Sequence, residues 1–442
     1  MKNQYLPLYK LLCLFFLLMF VETSSLQATE NFRNFRFRQL STSDGLSTND
    51  IQQVYQDKEG YIWMATRNGL AKYNGYEMKI YKSNIYNWNL LGNNNISCIE
   101  EDTKHRIWIG TYDGLNVLDK VTGKIKQINK TEFSNNAISK ILVTRKGQIL
   151  LGTDQGLYQY IPERDSCVLF TRETTKDVMP QTSVKSLLED SKGNIWIGTW
   201  NEGLYRYDPE EGKYFAYPKM NERKSTHVVF EDSHHQIWVG TWEGGLFLLK
   251  NPYDMERVSW DVFRNEPAVE SSLADNTIYA LSEDRNTNSL WVGTRSGLSI
   301  LPYGTTSFVN YYPDESGHSI SGNEVTSMIC DQQGMMWLST LGGGVTAIIT
   351  RELNFALDHL ENIKKVFKTN SVRNILVDDE GLMWLSIGTY GLVVYNRQTG
   401  EWWNMRQLGF PDTGSTTYSV FSIMQSPTTG KIWIGTYDGG LY

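Results

Sequence analysis

The sequence predicts an all-β protein, a seven-bladed β-propeller of four-stranded antiparallel blades followed by the first blades of a second, incomplete propeller. Three observations carry that expectation. A phrase of apolar residue, Trp, apolar residue, small residue and Thr, followed by Gly-Leu, recurs nine times. Its centres lie 42 to 53 residues apart, the length of one four-stranded blade. Aromatic residues reach 13%, and 37 Gly far outnumber 11 Pro, a mix that favours twisted strands joined by tight turns over helices.

Taken in chain order, the first element is an export signal over residues 1–28. Lys2 and Lys10 supply positive charge, Leu11 to Val21 is an apolar run, and Leu26-Gln27-Ala28 offers a small residue for cleavage. The run is short for a bilayer-spanning helix, so an uncleaved anchor is the secondary reading. Without the signal the chain keeps Cys98, Cys167 and Cys330, an odd number at unrelated positions, which is no disulfide framework.

Next comes Phe35-Arg36-Phe37-Arg38-Gln39-Leu40, a strand-like stretch expected to add the outer strand of the last blade and latch the ring. The repeats follow. The first three are Ile62-Trp63-Met64-Ala65-Thr66 with Gly69-Leu70, Ile107-Trp108-Ile109-Gly110-Thr111 with Gly114-Leu115, and a copy with Leu150 in place of Trp. The others centre on Trp196, Trp238, Trp291, Trp337, Trp384 and Trp433.

The turn before the second strand is acid plus Gly in copies such as Asp57-Lys58-Glu59-Gly60 and Asp190-Ser191-Lys192-Gly193. Asp accepts local backbone hydrogen bonds and Gly takes positive φ, which closes a hairpin. Two residues after each Trp position stands Gly, Ala or Ser, as expected where backbone approaches closely. The Trp is expected to fill the wedge between adjacent blades, since a single blade cannot bury both faces.

Seven copies close one ring, and nine exceed the usual four to eight blades. The first propeller is therefore expected over residues 29–360 and the second over 361–442, which reads as truncated inside its second repeat.

The stretches Asp44-Gly45-Leu46-Ser47, Gln56-Asp57-Lys58-Glu59-Gly60-Tyr61-Ile62-Trp63 and Asn68-Gly69-Leu70-Ala71-Lys72-Tyr73-Asn74-Gly75 resemble the two-component regulator propeller repeat. That repeat builds the periplasmic sensor half of hybrid two-component systems in gut bacteria. The resemblance implies two propellers ahead of a β-sandwich, a transmembrane helix, a histidine kinase and a receiver. It also implies homodimers in the full-length sensor, inner-membrane anchoring, and a response to breakdown products of complex carbohydrates. The kinase's phosphorylated His, its nucleotide pocket and the receiver Asp have no counterpart here, so only the sensing role carries over.

A ligand is expected at the mouth of the ring, where the tips between the second and third strands vary on a fixed frame. The candidate residues are Arg67, Tyr112, Asp154, Trp200, Glu202, Trp242, Glu243 and Arg295. Aromatic faces stack on sugar rings, while carboxylates and guanidinium groups bond hydroxyls. Polar residues before each inner strand, among them Asn49, Asn94, Asn136, His227, Asn276 and Asn370, read either as turn formers or as ligand contacts.

Net charge is -7 without a Lys/Arg cluster, so nucleic acid is not an expected partner. No His pair has zinc-helix spacing, and no nucleophile elbow, phosphate loop or dinucleotide fingerprint occurs. No catalytic residue, metal or cofactor is expected. Two other readings stand beside the sensor: a docking or dimerisation module without its own ligand, and a propeller lyase or hydrolase.

Overall fold

A computed structural model describes residues 35–84, 90–128, 130–131, 137–170, 181–217, 225–314, 319–350, 371–396, 399–410, 419–437 and 439–442. The expected export signal, Asn136, Asn370 and the boundary expected near residue 360 lie outside the described residues. The chain divides into two compact units, residues 1–352 and 353–442.

The first unit is a ring of seven sheets, antiparallel except that Lys130–Thr131 adds a short fifth strand parallel to Ser166–Leu169 in blade 3. Blade 1 runs outward through Ile51–Gln56, Ile62–Thr66, Gly69–Tyr73 and Met78–Tyr81. Blades 2 to 6 repeat this order, with inner strands Ile96–Glu101, Ile138–Val143, Val184–Glu189, Thr226–Glu231 and Ile278–Asp284. Blade 7 contributes Val325–Cys330, Met335–Thr340 and Gly344–Ile349 and takes its fourth strand, Arg36–Leu40, from the start of the described chain. Leu40 pairs with Val345 and Arg36 with Ile349, so the latch expected from the sequence is present. The ring also closes at its centre, where Thr326 Oγ1 donates to the Ile51 carbonyl at 2.7 Å and the Val54 N–H donates to Ser327 Oγ at 3.2 Å.

Each motif Trp lies between its own blade and the next. Trp63 packs with Ile96 and Ile99, Trp108 with Ile138 and Ile141, Trp196 with Val229, and Trp337 with Ile51 and Val54. A buried indole needs an acceptor for its N–H. The turn Asp supplies it: Trp63 bonds Asp57, Trp196 bonds Asp190 and Trp337 bonds Asp331, each at 2.8 Å. The other oxygen of the same Asp accepts backbone N–H groups across its turn, as Asp57 does from Tyr61 at 2.9 Å.

Blade 6 departs from this, since Trp291 donates to Ser289 Oγ at 3.1 Å, and blade 3 lacks both the indole and the acid. Blade 3 has Leu150 where the others have Trp, and Thr144 where they have Asp. With no indole to bond, a carboxylate there would bury an unused acceptor, and the Thr144 hydroxyl closes the turn to the Gln148 N–H at 3.1 Å. Phe170, edge-on to Tyr207 at 5.3 Å, occupies the same cluster as Leu150 and helps to fill the missing volume.

The small residue after the Trp faces the next blade. A Cβ on Gly110, Gly152, Gly198, Gly240 or Gly293 would come within 2.6 to 2.9 Å of Ile138, Val184, Thr226, Ile278 or Val325 respectively. The close backbone approach expected from the sequence is part of this, since the Val325 carbonyl lies 2.9 Å from a Cβ on Gly293 and the Thr226 carbonyl 3.1 Å from one on Gly198. The first side chain of the neighbouring inner strand adds to it, and at Gly110 Cys98 of the same blade is nearer still. The Thr that follows donates its hydroxyl to the carbonyl of the turn Gly, as in Thr66 to Gly69 at 2.7 Å and Thr241 to Gly245 at 2.8 Å. That bond fixes the hairpin carrying each variable tip.

A further inter-blade link was not foreseen. Near the end of an inner strand a carboxylate or amide accepts the N–H of the previous blade's turn. Lys58 donates to Glu101 at 2.8 Å, Arg145 to Glu189 at 2.6 Å, Ser191 to Glu231 at 2.6 Å, Ser233 to Glu283 at 2.8 Å and Gln332 to Gln56 at 2.8 Å.

The second unit contains a four-stranded sheet, Val372–Val377, Leu382–Ile387, Gly391–Asn396 and Trp402–Asn404, and a two-stranded pair, Val420–Gln425 and Ile432–Thr436. Trp384 keeps the indole bond, to Asp378 at 2.7 Å. Among the described residues no helix is long and apolar enough to cross a membrane.

Candidate functional site

The site begins with a bulge. In every blade of the ring the register between the inner strand and its neighbour slips by one residue near the mouth. In blade 1 Ile51 pairs with Thr66 and Gln53 with Ala65, leaving Gln52 unpaired. The same slip leaves out Ser97, Ser139, Lys185, His227, Tyr279 and Thr326 in blades 2 to 7. An unpaired bulge residue is re-aimed away from the sheet's alternation. Here all seven side chains line one cavity of about 430 Å³, to which every blade contributes.

The second set of lining groups comes from the tips. In at least six of the seven blades the N–H of the first tip residue is tied to the carbonyl just before the inner strand of its own blade, as in Tyr112 to Asn95 at 3.1 Å, Trp200 to Ser183 at 2.9 Å and Leu341 to Glu324 at 3.0 Å. The backbone is thus held whatever the side chain, and the tips can vary without cost to the frame.

The wall is uneven. Around blades 4 to 6 it is aromatic: His227 lies 5.4 Å from Trp200, 5.2 Å from Trp242 and 5.8 Å from Tyr279, and the two indoles meet edge-on at 5.3 Å. The opposite side, from blade 7 round to blade 3, carries Thr326, Gln52, Ser97 and Ser139 from the bulges, with Glu324, Arg67 and a single aromatic ring, Tyr112, beside them. Between the two sectors Lys185 bonds Asp154 at 3.0 Å, and Ser183 bonds the same carboxylate at 2.7 Å. Burial works against that carboxylate's charge, yet the Ser183 hydroxyl and Lys185 together hold its pKa below the usual range. Burial, with the Lys185 charge adding to it, pushes His227 down to about 4. The imidazole is therefore neutral at physiological pH.

Of the eight residues expected from the sequence, Arg67, Tyr112, Asp154 and Trp200 line the cavity. Trp242 joins the aromatic cluster from behind. Glu202 and Glu243 are exposed and do not line it, and Arg295 turns to Asp275 at 3.5 Å. Asn94 and Asn276 accept the N–H of Ser83 and Asn265, at 2.7 and 2.8 Å, which is the turn-forming alternative. The residues that sequence reasoning passed over are the bulge positions Gln52, Ser97, Ser139, Lys185, Tyr279 and Thr326. Their signal is positional: each follows the apolar residue that starts an inner strand, as Gln52 follows Ile51 and Lys185 follows Val184.

Two other clusters are accounted for by structure. Glu59, Glu101 and His105 bring possible metal-ligating atoms within 4.8 Å of one another. The Lys120 ammonium already serves these acids: it pairs with Glu59, with Glu101 at 2.8 Å and with Asp57 at 3.4 Å. Cys98, Cys167 and Cys330 are free thiols. Burial raises Cys98 to about 11 and Cys167 to about 12, which leaves both unreactive.

Comparison with known proteins adds to this geometry. The family model described as two component regulator propeller matches residues 45–68, 90–113, 179–201, 272–296 and 319–342. Histidine kinase P4 of Formosa agariphila is 28% identical over an alignment covering 92% of this chain and 33% of the kinase. The extracellular domain of a putative hybrid two component system from B. thetaiotaomicron superposes with TM-score 0.60 at 19% identity, over 92% of this chain and 53% of that one. Virginiamycin B lyase from Staphylococcus aureus superposes with TM-score 0.56 at 10% identity, over 71% of this chain and 99% of the lyase. The chain spans about a third of the kinase's length and about half of the extracellular domain's.

Proposed function

We propose that the first ring, in which five stretches match the two component regulator propeller model, is the ligand-binding part of a periplasmic two-component sensor and takes an oligosaccharide at its mouth. The observation that carries this reading is the divided wall of the cavity. An aromatic sector of Trp200, His227 and Tyr279 faces a mainly polar sector of Gln52, Ser97, Ser139 and Thr326, with Arg67, Glu324 and Tyr112. A sugar ring is divided in the same way, with an apolar C–H face and hydroxyls around its edge. Stacking and hydrogen bonding are then satisfied together. The cavity volume of about 430 Å³ falls in the lower part of the range for small-molecule sites, which favours a short oligomer or the end of a longer one.

Signalling follows if the bound sugar favours one arrangement of paired sensor chains over another. A ligand shifts such an equilibrium only by its differential affinity for the two states. The pairing, the periplasmic location and the relay across a membrane belong to this proposal.

Calorimetry of the full chain against plant, host and microbial oligosaccharides tests it, with Trp200→Ala and Tyr279→Ala alongside. Saturable binding that weakens in either variant supports the mouth as the site. Absence of binding by a folded chain overturns the sensor reading in favour of docking. One observation speaks for docking: on the second unit Val372, Ile375 and Val377 of a single strand are all exposed, and exposed apolar clusters mark contact surfaces.

A further inference from the structure

Most buried polar atoms have a partner, and one without a partner calls for an explanation. His227 Nε2 is such an atom: it is shielded from solvent and has no hydrogen-bond partner. Its ring is held by aromatic neighbours on three sides, Trp200, Trp242 and Tyr279, and none of them offers its indole or hydroxyl to it. The residue lines the cavity, at a position where a bulge turns the side chain toward the axis. Among the lining side chains, Lys185 and Asp154 already pair with each other and Ser183 bonds the same carboxylate, whereas His227 is the one lining residue with a buried, unpartnered side-chain atom among the described residues.

Resting on the sensor reading, we propose that His227 is the specificity-determining residue of a subsite for a neutral, hydroxyl-bearing ring. One hydroxyl of that ring bonds Nε2 while its apolar face lies against Trp200 and Tyr279. The argument is by elimination of other groups. A hydroxyl can donate or accept, so it satisfies Nε2 in either tautomer, whereas a carbonyl or an ammonium suits only one. Beside His227 a cationic group would meet Lys185, whose ammonium also lies 5.9 Å from the Trp200 ring, and an anionic group would meet Asp154, whose charge Lys185 already balances. The other charged lining residues, Arg67 and Glu324, belong to blades 1 and 7. A purely apolar ring would fill the aromatic corner and leave Nε2 as it is. Reaching Nε2 takes a side-chain rotation at the mouth, of the kind binding surfaces commonly make.

The test uses the full chain labelled with 15N-histidine and, as probes, the methyl pyranosides of glucose, galactose, mannose and xylose together with their singly deoxygenated analogues. The His227 signal is assigned by its disappearance in His227→Phe. The expected result is a saturable shift of that signal with at least one pyranoside, and loss of the shift with one of its deoxy analogues. His227→Phe weakens that pyranoside about tenfold, the loss expected for one hydrogen bond. His227→Gln, whose amide can also donate and accept, recovers part of the affinity and guards against a variant that fails for want of folding.

Two results overturn the inference while leaving the sensor reading intact: pyranosides or oligosaccharides that bind without moving the His227 signal, or binding that His227→Phe leaves unchanged. If no pyranoside and no oligosaccharide binds, the inference and the sensor reading fail together.

Discussion

Trp196 donates its indole N–H to Asp190 Oδ2 at 2.8 Å. The same carboxylate accepts the Asn194 N–H at 2.8 Å and the hydroxyl of Tyr253, from the neighbouring blade, at 3.0 Å. One acid thus closes a hairpin, satisfies the wedge indole and ties two blades together.

Removing it leaves at least three donors without an acceptor in a fully buried position. Asp190→Ala is expected to destabilise the ring by about 2–4 kcal/mol, read from the midpoint of urea unfolding. Thr144→Asp in blade 3 is expected to destabilise as well, since Leu150 offers no N–H to a buried carboxylate.

Gly240 tests the close approach of blades. A methyl group there meets Ile278 and Val228 at 2.6 Å, so Gly240→Ala is expected to cost about 1–3 kcal/mol as overpacking. At the same position of blade 1 the natural residue is Ala65, and Ala65→Gly is expected to cost about 1 kcal/mol or less, chiefly from added chain entropy. Thermal unfolding of both variants separates the two effects.

Lys120 tests the acidic cluster. Its side chain is 7% exposed, and it faces the wholly buried side chains of Asp57 and Glu101. Lys120→Met strands those charges, with an expected loss of about 3–5 kcal/mol. Adding Glu101→Gln to the same chain is expected to recover part of that loss, which a double-mutant cycle measures.

His227 predicts a pH dependence. Its folded-state pKa is lowered from 6.5 to about 4, by burial first and by the Lys185 charge second; the other titratable ring in contact with it is Tyr279. A lowered value means that the unfolded chain takes up the proton first. Stability owing to this residue is constant above pH 6.5, falls as the pH drops toward 4, and then levels off. The total loss is on the order of 3 kcal/mol. His227→Gln is expected to flatten that part of the profile, as followed by urea unfolding at a series of pH values.

The ring was legible because its determinants are local and repeated. The spacing of Trp63, Trp108, Trp196 and the rest set the blades, Asp57 and Gly60 marked the hairpins, and Phe35 to Leu40 stood out as a strand without a blade of its own. Half of the candidate site was legible for a related reason: Arg67, Tyr112, Asp154 and Trp200 vary inside a fixed frame. Glu202, Glu243 and Arg295 stand in comparable tips yet do not line the cavity, because the direction of a tip side chain depends on its neighbours. Arg295, for instance, is drawn to Asp275.

What the sequence determined by itself was the number and order of the sheets and the chemistry that joins them, since each of those needs only residues a few positions apart. The tertiary structure decided what the mouth contains. Gln52, Ser97, Ser139, Lys185, His227, Tyr279 and Thr326 comprise six residue types and lie as much as 274 positions apart in the chain (326 − 52). They meet because seven bulges turn one side chain each toward a common axis, and that axis exists only once the ring has closed.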